Sequence, residues 1–240
     1  MSLAIAMSEL NQALVIGVIT GAVYSLLGLG LVLVYKASGV FNFAQAEFGA
    51  VAVYVMYVAT ELMDVPYGLA VLVGLAGAVV VGLLTERLVI RPLAGSPRVT
   101  LLVATVGVAL LLIGIEFWRT NENPLKILAP LSPTTDRVTL FGVQVSDQRL
   151  VTIAVLGIVA ALLAAFFRSA RGLSVLAASQ DATAAELVGV SVNRVSRLVW
   201  GMAALMGGVA GILYAPSGPF SPGFLTQQAL IPAFTGVVIG

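Results

Sequence analysis

The sequence predicts an all-α protein, a polytopic transmembrane helical bundle of about 6–7 spans. Three observations predict it. Of 240 residues, 60% are hydrophobic and only 10% are charged, whereas a soluble domain is about 45–50% apolar and about 25% charged. The mean hydropathy is +1.07. Apolar runs of roughly 20 residues, the length that crosses a bilayer as a helix, recur along the chain. A soluble domain of this size could not bury so much apolar surface. Disorder needs the opposite composition, low hydrophobicity with high charge.

The runs cover residues 10–34, 40–60, 67–85, 99–118, 150–167 and 198–215, and a seventh opens near Ala229 and is cut at Gly240. Residues 1–9 carry no Lys or Arg. The basic start of a signal peptide is therefore missing, and the N-terminus is expected to be retained. With the N-terminus outside, Lys36, Arg87, Arg91, Arg98, Arg168, Arg171, Arg194 and Arg197 fall inside, and Arg119, Lys126, Arg137 and Arg149 fall outside. That asymmetry follows the positive-inside rule. It depends on the second run crossing fully. Trp118, Trp200, Tyr35 and Tyr67 lie near span ends, where amphipathic rings prefer to sit.

Small residues recur every fourth position in three spans: Gly17 and Gly21; Ala70, Gly74, Ala78 and Gly82; Ala203, Gly207 and Gly211. Such stripes let helix backbones approach closely in lipid. They serve either static packing or helices that slide during transport.

Two zero counts prune the chemistry. The chain has no Cys and no His, which removes disulfides, thiolate nucleophiles, HExxH metal sites, Ser-His dyads and imidazole relays. Neither lysine, Lys36 nor Lys126, stands in a phosphate loop, so no ATP site of that kind is expected. A net charge of +1 gives nothing for nucleic acid to bind. No cofactor or metal is expected.

The start of the second span reads GVFNFAQAEFGA, residues 39–50. Polar groups inside a span are costly and therefore functional candidates. At about 100° per residue, Asn42, Gln45 and Gly49 share one helix face, while Glu47 lies about 140° from Asn42. A regular helix cannot aim all of them at one path. Either the helix is broken here or Glu47 faces a separate partner, unless it is simply hydrated near the interface. Asn42, Gln45, Glu47 and Gly49 are the translocation-pathway candidates. Glu86 beside Arg87, and Glu116 in reach of Arg119 at i+3, read as interface charges.

Two long loops remain. The outer one, 119–149, holds Pro124, Pro130 and Pro133, which oppose a helix, and an alternating stretch around Phe141 and Gly142 that suggests a hairpin. The inner one, 168–197, predicts a short helix over 182–188. Asp181 is its N-cap and Gly189 its stop, and Asn193 caps the next span. Its weakly charged surface suits a groove on another protein, or the chain's own cytoplasmic face.

Two segments carry a family resemblance. GAVYSLLGLGLVLVYKASGVFNFAQAEFGAVAVYV resembles the first two helices of branched-chain amino acid ABC transporter permeases of the LivH type. GLSVLAASQDATAAELVGVSVNRVSRLVWGMAALMGGVAGILYA resembles that family's cytoplasmic loop and following helix. Within the family's Asn-Phe-Ala-His-Gly-Glu pattern, Asn42, Phe43, Ala44 and Glu47 match, whereas Gln45 and Ala46 depart. The resemblance implies a single permease domain over 1–240, apparently lacking a C-terminal end, in the inner (plasma) membrane of a prokaryote. It implies cytoplasmic ATP-binding subunits, a second permease chain (LivM-like, or a homodimer) and an extracytoplasmic substrate-binding protein. The coupling segment it implies includes Gln180, Asp181, Ala185, Glu186 and Gly189. The expected cargo is leucine, isoleucine or valine. Alternatives are an importer permease for urea, short amides or another amino acid, and an ion-coupled secondary transporter. An intramembrane protease is excluded: one kind needs His, and the other needs two Asp on spans, whereas Asp64, Asp136, Asp147 and Asp181 all fall in loops.

Overall fold

The computed structural model describes residues 2–120, 125, 137–140 and 143–239. Helix α1 runs Ser2–Ser38, α2 Gln45–Tyr57, α3 Tyr67–Thr85 and α4 Arg98–Thr120. A two-stranded hairpin follows, β1 Arg137–Leu140 and β2 Val143–Ser146, in the alternating stretch of the outer loop. Then come α5 Asp147–Arg168, α6 Ala170–Gln180, α7 Ala182–Leu187, α8 Val192–Tyr214 and α9 Ile231–Ile239. The prolines at 124, 130 and 133 lie outside the described residues.

Among the described residues, five helical stretches are long and apolar enough to cross a membrane: Leu10–Ser38, Tyr67–Leu93, Arg98–Thr120, Leu150–Arg168 and Val192–Ser217. A shorter apolar helix spans Thr226–Ile239. The expected run at 40–60 is not among the five. Its helix starts at Gln45 rather than Val40 and ends through a π-helical turn, Val58–Leu62. The reason lies in residues 39–44. Gly39 adopts φ +67°, which an L side chain resists, and its N–H closes α1 on the Tyr35 carbonyl at 2.7 Å. The chain then needs several residues before it can begin a helix in the reverse direction.

Burial sorts the spans. The central window of the Val192–Ser217 span is 61% buried, against 11% for Leu150–Arg168. Helix α8 is thus the axis of the bundle, packed by α1, α2 and α3, and α5 is peripheral. Val199, Ala203, Ala204 and Ala210 of α8 are fully buried. Large apolar side chains on α4 and α5, such as Leu110, Leu111, Ile158 and Leu162, are exposed and suit contact with lipid.

The ends of the bundle also separate. At one end Lys36 lies 5.7 Å from the Phe167 ring centroid, and Arg98 packs against Gly39. At the other end Leu125 and Phe220 exchange backbone hydrogen bonds of 2.7 and 2.9 Å. Two charge expectations change. Glu86 is buried and bonded to Arg91, which donates to both carboxylate oxygens at 3.0 and 2.9 Å; it is not an interface charge beside Arg87. Glu116 does not pair with Arg119, whose Nε instead donates to the Tyr54 hydroxyl at 3.3 Å. A π-helical turn at Glu86–Ile90 brings Arg91 back onto Glu86.

The inner loop is two helices joined at Asp181. Ser169 caps α6 by accepting from Gly172 N–H at 3.3 Å. Gly172 sits so close to the end of α5 that a Cβ there would fall 2.2 Å from the Phe166 carbonyl oxygen. Val175 and Ala178 anchor α6 in the core. Asp181 Oδ1 accepts from Ala184 N–H at 2.9 Å and starts α7. Gly189, at φ +87°, ends it, and Val190 N–H reaches back to the Ala185 carbonyl at 2.9 Å. The residue before α8 is Ser191, not Asn193, which lies inside its first turn.

Candidate functional site

Helix α2 begins inside the bundle. Its first residue, Gln45, donates from Nε2 to the Ala203 carbonyl at 2.7 Å. Ala203 lies 11 residues into α8, about 16 Å along a helix rising 1.5 Å per residue. Residues 39–44 therefore carry non-helical backbone to mid-depth. That is tolerable in a membrane only where protein covers it. Here it does: Val40, Asn42 and Ala44 are buried, and the Phe43 N–H donates to Thr105 Oγ1 of α4 at 3.2 Å.

Asn42 organises the turn. Its Oδ1 accepts from Ala44 N–H at 3.0 Å, its carbonyl accepts from Gln45 N–H at 3.2 Å, and its Nδ2 donates to Gln45 Oε1 at 3.3 Å. Asn42 and Gln45 thus meet, as their i+3 spacing allows, and together they tie the start of α2 to α8. Both are 0% exposed. The seam is buried at both side chains.

Glu47 faces elsewhere, in line with its helical offset. It is 0% exposed, and the Thr226 hydroxyl donates to its Oε1. Beside it stands the Glu116 carboxyl, whose Oε2 accepts from Gly223 N–H at 3.3 Å. Sequence reasoning missed Thr226, Thr105 and Gly30, and misplaced Glu116. The one signal available was an acid inside LLLIGIEFW, four residues before the end of α4.

Below this level α2 and α8 cross backbone to backbone. A Cβ on Gly49 would lie 2.6 Å from the Gly207 oxygen, one on Gly207 2.7 Å from the Gln45 oxygen, and one on Gly211 2.5 Å from the Gly49 oxygen. Gly74 of α3 approaches the Ala52 oxygen equally closely, at 2.5 Å. Gly30 of α1 leaves the room that the Gln45 amide fills. Gly17 and Gly21 differ: among the described residues a Cβ on either meets nothing within 4 Å, so the close packing expected of that pair is not made there.

The inner-loop residues separate into two kinds. Gln180, Asp181, Glu186 and Gly189 are exposed, whereas Ala185 is 3% exposed and packs inward. Leu187 and Val188 are the outward apolar groups, 86% and 78% exposed. No group of three or more acidic, His or Cys side chains that could hold a metal occurs among the described residues.

The Gln45 bond has a measurable consequence. Gln45→Leu keeps the volume but leaves the Ala203 carbonyl and the Asn42 amide without their partner. The expected loss is about 1–3 kcal/mol of stability, read as a lower melting temperature of the purified chain. Gln45→Glu cannot donate to the carbonyl and should lose as much. An unchanged melting temperature in both would mean that the seam contributes no stability.

Known proteins share this organisation in sequence. Residues 13–240 match the family described as the permease component of the branched-chain amino acid transport system. The high-affinity branched-chain amino acid transport permease BraD of Pseudomonas aeruginosa is 29% identical over 243 residues, covering 95% of this chain and 78% of that protein. The corresponding LivH protein of Escherichia coli K12 is 30% identical over 238 residues, 93% of this chain and 76% of its own length. A probable LivH of Methanocaldococcus jannaschii is 26% identical over 225 residues. No solved structure matches the chain. A match over all but the first dozen residues, with relatives alike across nearly the whole length, means that this multi-pass membrane protein belongs to the permease components of branched-chain amino acid ABC transport systems and is a transport subunit rather than an enzyme.

Proposed function

We propose that this permease carries leucine, isoleucine or valine inward across the plasma (inner) membrane of a prokaryote. It acts with cytoplasmic ATP-binding subunits, an extracytoplasmic binding protein, and a second permease chain that is LivM-like or a second copy. One observation supports the reading above others. The buried polar seam at mid-depth hangs on α8, the same helix whose basic end adjoins α6 and α7.

ATP-driven closure of the ATP-binding subunits presses on α7. Ala185, the buried residue of α7, and Val175 and Ala178 of α6 carry the displacement into α8 and α1. Sliding of α8 at its glycine crossing then moves the Ala203 carbonyl away from Gln45. The start of α2 is released, and a path opens beside Asn42 and Gln45. Gln45, where the chain departs from the family pattern, serves here as the latch to α8.

The test is leucine uptake in the native cell with and without this gene, with ATP depletion as control. Deletion should abolish the ATP-dependent component. Unchanged uptake in a strain lacking redundant importers would overturn the substrate. Lost uptake that follows an ion gradient and ignores ATP would overturn the coupling.

A further inference from the structure

Glu47 and Glu116 are an unusual pair for a membrane interior. Glu47 is 0% exposed and Glu116 5% exposed. Their carboxyls are neighbours, both bonded to the turn at 223–226. Each already has one donor: the Thr226 hydroxyl for Glu47 Oε1 and the Gly223 N–H for Glu116 Oε2. Each also has one oxygen, Glu47 Oε2 and Glu116 Oε1, that no donor among the described residues satisfies.

Among the described residues, no Lys or Arg is bonded to either carboxyl. Arg119, three residues beyond Glu116, is turned to the Tyr54 hydroxyl and the Trp118 ring. The one ion pair among the described residues is Arg91 with Glu86, on α3 and its extension. The other titratable side chain near the turn, Tyr214 of α8, stacks on Phe224 with ring centroids 5.6 Å apart. Two neighbouring ionised carboxylates without a bonded cation would repel in a medium that screens poorly.

We propose that Glu47 and Glu116 bind one proton between them, forming a carboxyl–carboxylate clasp that joins α2, α4 and the turn at 223–226. The proton supplies the hydrogen that the two orphaned oxygens lack, and it reduces two charges to one. The remaining negative charge is matched by the local backbone. Glu47 stands in the first turn of α2, and Gly223 N–H belongs to the turn that opens the last helix, so two helix N-termini converge on the pair. The clasp holds the same first turn of α2 that the seam ties to α8, from another side. Parting α2 from α4 during transport would break it and expose the proton to water.

The experiment is infrared spectroscopy of the assembled importer in lipid nanodiscs, comparing wild type with Glu47→Gln and Glu116→Gln. The wild type should show the carbonyl stretch of a protonated carboxyl at neutral pH, shifted in heavy water. Either substitution should remove it, because the amide supplies the hydrogen and the remaining glutamate needs no proton. Both variants should keep the wild-type melting temperature, whereas Glu47→Ala and Glu116→Ala should lower it. A wild-type spectrum without the band would overturn the proposal, as would a band that survives in both glutamine variants. So would a melting temperature that rises with sodium at fixed ionic strength, which would make the bound cation a metal ion.

Discussion

Gly207→Ala and Gly211→Ala should each lower the melting temperature of the purified chain and sharply reduce uptake, while Gly17→Ala and Gly21→Ala leave both near wild type. The contrast is set by what a single methyl group meets. At 207 and 211 it lands 2.7 and 2.5 Å from backbone oxygens of α2. Those atoms cannot rotate away as a side-chain end could, so α2 and α8 must separate along the whole crossing. Overpacking costs about 1–3 kcal/mol where side chains can adjust, and the upper end is expected here. Separation also stretches the Gln45 bond to Ala203, which lies one turn from Gly207. At 17 and 21 the methyl meets nothing within 4 Å, and the change removes only the helix penalty of glycine, about 0.5–1 kcal/mol. Thermal unfolding of the four variants in one detergent decides it. Equal effects at all four sites would mean that the crossing is looser than its geometry.

These glycines also show what sequence can and cannot carry. All appeared as the same small-xxx-small pattern, and the pattern fixes a helix face without naming its neighbour. For Gly207 and Gly211 the neighbour is the backbone of α2; for Gly17 and Gly21 the described residues supply none. The bundle itself was readable because apolar run length is a property of each segment alone. Failure came where a run's meaning depended on contact. Residues 40–60 have the length of a span, yet Gly39 and Asn42 delay the helix to Gln45, and its polar start is stable only because α1, α4 and α8 enclose it. The angular offset of Glu47 from Asn42 was readable, and a separate partner was one of three readings it left open. That the partner was Thr226 beside Glu116 was not, since 179 residues of chain separate the hydroxyl from the carboxyl it meets. The caps of α7 were readable at Asp181 and Gly189 because capping is local.

Leu187→Asp with Val188→Asp should abolish ATP-driven uptake and the co-purification of ATP-binding subunits, without altering the stability of the permease itself. The two side chains are 86% and 78% exposed at the end of α7. Substitution there removes no internal contact, and exposed sites usually change stability by about 0.5 kcal/mol or less. Buried in a partner's groove, each would contribute about 1.5–3 kcal/mol, so losing both costs on the order of 4 kcal/mol, roughly a thousandfold in affinity. Charge in an apolar groove adds to that. Ala185→Arg is a poorer probe of the same idea. Ala185 is 3% exposed and faces the chain's own core, so arginine there would disturb the corner before any partner met it. Asp181→Ala tests the scaffold separately: it removes the bond to Ala184 N–H, costs about 1 kcal/mol of local helix stability, and should weaken coupling only partly. Co-purification and uptake that survive the double aspartate substitution would place the ATP-binding subunits elsewhere on the basic end. Uptake lost with co-purification intact would put α7 in transmission of the stroke rather than in docking.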